Sequence, residues 1–90
     1  MNIKRRKKIA LIISEVTSLS EKMESILDDL ETIKSEEEEC FENIPENLQD
    51  SERYTAAEEA VENLDSAYDT LQEAIDSLAD VVSSLEEASN

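Results

Sequence analysis

The chain has no glycine, no histidine, one proline and one cysteine in 90 residues. Without glycine there is little with which to build tight β-turns, hairpin corners or phosphate-cradling loops. Without histidine there is no imidazole base, no Ser-His or Cys-His pair and no Glu-x-x-His di-iron motif. The lone Cys40 permits no internal disulfide, so packing must hold the fold, and a reducing cytoplasm is the expected setting. Lys and Arg are also scarce, 8 against 24 Asp and Glu, for a formal charge of -16. The hydrophobic fraction, 39%, is nevertheless too high for a disordered acidic tail. No catalytic constellation is present, and no cofactor is implied.

What remains is helical periodicity. Apolar residues recur at Ile9, Ile12, Val16, Leu19, Met23, Ile26, Leu30 and Ile33, then at Cys40 and Ile44 after a polar interruption at Glu37. The alternating steps of three and four define a heptad seam. A second seam runs through Tyr54, Ala57, Val61, Leu64, Tyr68, Leu71, Ile75, Leu78, Val82 and Leu85. Between them Pro45 ends the first helix near Glu42, and Asp50 or Ser51 caps the second. The pattern predicts an all-α antiparallel hairpin of two coiled-coil helices: about 3–42, a turn at about 43–50, and about 51–88. At ~1.5 Å per residue each arm is roughly 50 to 60 Å long. The five-residue apolar run after Lys8 is shorter than a signal peptide needs, and no ~20-residue membrane span exists.

The second helix carries an additional row, Ala60, Ala67, Ala74, Val81 and Ala88, one small apolar residue every heptad. A two-helix seam does not need so wide a face, and a bare hairpin buries little core. A homo-oligomer is therefore expected, most simply a dimer closing a four-helix bundle through Ala60, Ala67, Ala74 and Val81; a higher oligomer, or a contact that takes in the first helix's additional Leu11, Ile13 and Leu27, would serve too.

Charge is polarised along this architecture. Lys4, Arg5, Arg6, Lys7 and Lys8 form a cationic start beside the C-terminal Asp80, Glu86 and Glu87 of the returning helix. They read either as an ion-pair cluster or, with Arg53, as an anion site for a phosphorylated nucleotide. Glu36, Glu38, Glu39 and Glu42, with Glu37, crowd the end of the first helix against its dipole, and Glu46 and Asp50 join them from the turn. Such a costly cluster is either a solvated end, a docking surface for a basic partner, or a site for a hard cation. The docking reading includes Asn47, Gln49 and Arg53. Glu37 has Arg53 as a possible partner across the turn, Cys40 reads as a buried seam residue, and Phe41, Ile44 and Leu48 as a plug over Tyr54. Direct nucleic-acid binding is disfavoured, because the acidic body repels phosphates.

The stretch Pro45-Glu46-Asn47-Leu48-Gln49-Asp50-Ser51-Glu52-Arg53-Tyr54, followed by an acidic Ala-rich heptad helix, resembles small uncharacterised proteins of phages, prophages and mobile elements of Gram-positive bacteria. Their shared motif reads Pro-Glu-Asn-Leu-Gln-x-Ser-Glu-Arg-Tyr, matched here at 45–54. The resemblance implies a phage-borne origin and supplies no activity. In that setting the expected roles are inhibition of a host defence or DNA-binding protein, with DNA mimicry as one form, or service as a virion accessory.

Overall fold

The computed structural model describes residues 2–90. Two helices, α1 (Ile3–Glu42) and α2 (Glu52–Ala88), pack against each other as a hairpin, joined by residues 43–51, which contain a 3-10 turn at Glu46–Leu48. The molecule is a rod of 69 × 15 × 14 Å. Its radius of gyration is 20.2 Å, against roughly 12 Å expected for a compact chain of this length.

Local chemistry sets the helix ends. The Asn2 side-chain oxygen accepts the Arg5 backbone N–H at 2.8 Å and caps α1. At the other end the Asn43 and Ile44 N–H groups donate to the Glu39 and Phe41 carbonyls at 3.1 and 3.2 Å. No described residue has a positive φ, so α1 ends without the left-handed cap that glycine usually supplies. Pro45, at φ -59°, instead opens the 3-10 turn, and its carbonyl accepts the Leu48 N–H at 2.9 Å. Ser51 then closes the connection: its hydroxyl donates to the Leu48 carbonyl at 2.6 Å and accepts the Tyr54 N–H at 3.2 Å.

The seam on α2 follows the heptad reading, with Ile75 at its centre only 6% exposed. On α1 the reading needs correction. Ile9, Val16, Met23 and Leu30 do face α2, but the second seam row is Ile13, Ser20, Leu27, Lys34 and Phe41, one residue later than expected. The expected row points to solvent: Ile12 is 46% exposed, Leu19 50%, Ile26 56% and Ile33 52%, and Cys40 is exposed rather than buried. The row of Ile13 is broken by Ser20 and Lys34, so periodicity alone points to the rotation that the structure does not use. Specific contacts select the other. Phe41 lies on Tyr54 with ring centroids 4.9 Å apart, and Lys34 reaches Asp65 and the face of Tyr68. The plug at the tip holds in part, with Phe41 and Ile44 half-buried and Leu48 exposed.

Leu27 and Ile75 are the only buried residues among those described, so the seam concentrates its packing there. Leu27→Ala should lower the unfolding free energy by about 2 to 3 kcal/mol at every protein concentration, measured by urea denaturation. A change below about 0.5 kcal/mol would return the seam to Ile26.

Candidate functional site

Three features outside the seam are candidates for function. The first is the turn end. Its backbone is held by Pro45, Leu48, Ser51 and Tyr54 through the hydrogen bonds above. The remaining side chains of the stretch, those of Glu46, Asn47, Gln49, Asp50, Glu52 and Arg53, are exposed. None of them makes a side-chain hydrogen bond or ion pair among the described residues. Glu36, Glu39 and Glu42 are exposed beside them, and Glu38 is half-buried. Successive helical residues point about 100° apart, so these carboxylates fan around α1. No group of three or more potential metal ligands converges among the described residues. Arg53 shares a shallow groove with Glu37, Cys40, Ile44, Ala56 and Ala57, but forms no ion pair with Glu37.

The second feature is the open end. Lys4, Arg5, Arg6, Lys7 and Lys8 are all exposed on the first turns of α1. The expected ion pairs with Asp80, Glu86 and Glu87 do not form: the single salt bridge among the described residues is Lys34–Asp65. These long exposed side chains gain too little from pairing in water to offset their loss of freedom. Nor does the hairpin gather Arg53 with the cationic start, because the two lie at opposite ends of the rod.

The third is a cluster that periodicity did not reveal. Lys34 Nζ lies 2.9 Å from Asp65 Oδ1 and 5.0 Å from the centre of the Tyr68 ring. Its hydrogen bond to Asp65 raises the Lys34 pKa above the ordinary 10.5, against some desolvation and with help from the charges of Asp65, Glu38 and Glu31. Hydrogen bonding to Glu31, then burial, raises that of the Tyr68 hydroxyl above 10.0. The recoverable signal was a lysine seven residues after Leu27, in a row otherwise suited to burial. A cation over an aromatic face and beside a carboxylate is a structural clasp.

The Ala row lies where α2 leaves it open: Ala60 and Ala74 are half-buried, and Ala67 and Val81 exposed. No protein-family model, curated protein or solved structure matches the chain.

Both shifts in the clasp are upward, so the folded state holds these protons more tightly than the unfolded chain. That contribution is complete below the ordinary lysine and tyrosine values and is lost as pH rises through the shifted ones. Thermal unfolding followed by circular dichroism should therefore fall between about pH 9 and 12, the range set by those ordinary values. The double variant Lys34→Met, Tyr68→Phe should show a shallower fall; an identical slope would remove the clasp from the account.

Proposed function

We propose that the chain is a non-enzymatic protein-interaction module, phage-encoded, whose acidic turn end docks on a basic or nucleic-acid-binding host protein and inhibits it. The observation that carries this reading is a division of labour within residues 45–54. Pro45, Leu48, Ser51 and Tyr54 build the turn, while the side chains of Glu46, Asn47, Gln49 and Arg53 project from it and make no hydrogen bond or ion pair among the described residues. A stiff scaffold that presents unoccupied polar side chains at its tip suits recognition, because little freedom is lost on binding. The surrounding carboxylates give the tip its preference for a cationic groove.

DNA mimicry is the form of this reading with a specific observation in its favour. Apart from Glu37, Glu38 and Asp65, every carboxylate of the chain is exposed, and they are distributed along a rod 69 Å long. Such an object offers a nucleic-acid groove the fixed negative charges that phosphates would otherwise supply. The host cell cytoplasm is the compartment in which such a partner would be met.

Affinity capture from bacterial host lysate tests the reading. The intact chain should retain a nucleic-acid-binding protein that the variant Glu46→Ala, Asn47→Ala, Gln49→Ala, Arg53→Ala loses. Mimicry adds a salt dependence: raising salt from about 50 to 200 mM should weaken the complex at least tenfold. Equal recovery by both chains would place the docking site elsewhere, and salt-independent binding would dispose of mimicry.

A further inference from the structure

We propose that a second copy of this chain covers the exposed apolar face of the hairpin, and that the two rods lie antiparallel, each turn end against the other's open end. The face is built from two rows. On α1 it is Ile12, Leu19, Ile26 and Ile33, each about half exposed; on α2 it is the row that contains Ala67 and Val81. Both rows lie on one side of the hairpin. Cys40 continues the α1 row by one heptad and Arg53 precedes the α2 row by one heptad, and these two line a common groove at the tip. The Lys34–Asp65 clasp, by contrast, joins the places on the other side of the seam.

The surface area indicates how much cover is needed. The hairpin exposes 6791 Å², whereas a compact folded chain of 10.1 kDa exposes about 5,300 Å². The excess, about 1,500 Å² per chain or about 3,000 Å² for a pair, lies in the range that obligate homodimer interfaces remove from water.

Orientation follows from symmetry and charge. A two-fold interface must be complementary to itself. The α1 row is symmetric about a point between Leu19 and Ile26, so that Ile12 meets the partner's Ile33 and Leu19 the partner's Ile26. The α2 row is symmetric about Ala74. Contacts such as Phe41 with Tyr54 and Lys34 with Asp65 place those two midpoints at nearly the same height along the rod. One dyad therefore serves both rows. Large side chains then face large ones across α1, and small face small across α2.

The same operation brings opposite charges together. The side chains flanking the α1 row are Lys4 and Lys8 at the open end and Glu36 and Glu39 at the turn end. Antiparallel rods set each cationic start beside the partner's acidic tip. With the turns at the same end, two acidic tips would instead share one end of the bundle, a repulsive arrangement. The inference does not depend on the docking reading, since Glu46, Asn47, Gln49 and Arg53 lie beyond the two rows.

Sedimentation of the purified chain at micromolar concentration should return twice the 10.1 kDa chain mass; a monomer, a trimer or a higher species would overturn the proposal. A nitroxide on the single, exposed Cys40 reports orientation. In the antiparallel dimer Cys40 sits opposite the partner's Arg5, so the two labels should lie about 50 Å apart at ~1.5 Å per helical residue. A separation under about 20 Å, that of adjacent helices with their turns together, would overturn the orientation. Ile26→Glu places a charge at the centre of the face on a side chain already half exposed in the single hairpin. It should leave the helical circular dichroism in place while weakening the dimer at least about 100-fold, two decades in Kd; an unchanged dimer would overturn the choice of face. Should that variant lose its helicity, Arg5→Cys settles the matter: mild oxidation should link its Cys40 to the new thiol of the partner, and a chain that stays unlinked would overturn the proposal.

Discussion

Two helices can touch along one line only, and a line of contact between cylinders some 10 Å across removes little apolar surface from water. This constraint shapes the rest of the molecule. Among the described residues the hairpin buries two side chains, Leu27 and Ile75, and the other seam residues remain partly wet. With so little to gain from a continuous core, the seam depends on a few contacts of other kinds, and these are spread along it. An aromatic pair stands at the tip, a clasp of Lys34, Asp65 and Tyr68 lies below it, and the aliphatic centre follows. These contacts set the rotation of α1 about its own axis. That rotation leaves a row of isoleucine and leucine on the outside.

Much of this architecture was legible in the sequence because its punctuation is local. Pro45 and Ser51 act on backbone groups within a few residues of themselves, so the end of α1 and the start of α2 follow from them. The face of α2 was equally legible, since its large side chains occupy two heptad places and only alanine or valine the next. The face of α1 was not. The rows that begin at Ile9 and Ile12 are apolar down to Ile33, whereas the row of Ile13, Leu27 and Phe41 is broken by Ser20 and Lys34, so periodicity points to the pair that the structure does not use. What decides against it is long-range: the fit of Phe41 to Tyr54, and of Lys34 to Asp65 and Tyr68. A lysine in a seam row reads as an interruption until its carboxylate on the other helix is known.

The candidate sites divide in the same way. Within residues 45–54 the sequence marks the stretch as distinctive but does not separate residues that build the turn from residues the turn presents. Hydrogen bonding makes that separation: the Pro45 and Leu48 carbonyls and the Ser51 hydroxyl hold the turn, the Gln49 N–H donates to the Glu46 carbonyl, and the side chains of Glu46, Asn47, Gln49 and Arg53 stay unengaged. At the open end the hairpin brings the cationic start near the last turns of α2, as its topology requires. Proximity of chain segments is nevertheless not ion pairing. Exposed lysines and arginines find water as good a partner as Glu86 or Glu87, and Lys4 to Lys8 form no ion pair among the described residues.

Unpaired charge at the ends has a further consequence for the proposed dimer, because heptad rows are poor at fixing register. Sliding one rod along the other by seven residues puts Ile and Leu against Ile and Leu again, at the loss of a single layer. Successive slips of this kind turn a closed two-fold pair into a staggered contact, and staggered contacts propagate into filaments. The end charges oppose the slip in both directions. If the rods slide apart, each cationic start leaves the partner's acidic tip and faces a stretch where the attraction is weaker. If they slide past one another, the acidic tips extend beyond the partner with their repulsion uncompensated. Charge of one sign at one end and of the other sign at the opposite end thus selects the register in which both pairs meet at once. In the proposed dimer the carboxylates at the tip would thus serve assembly, beside the docking proposed for them. Their local cost to the end of α1, against the dipole and against one another, is offset by the definition they give to an otherwise repetitive surface.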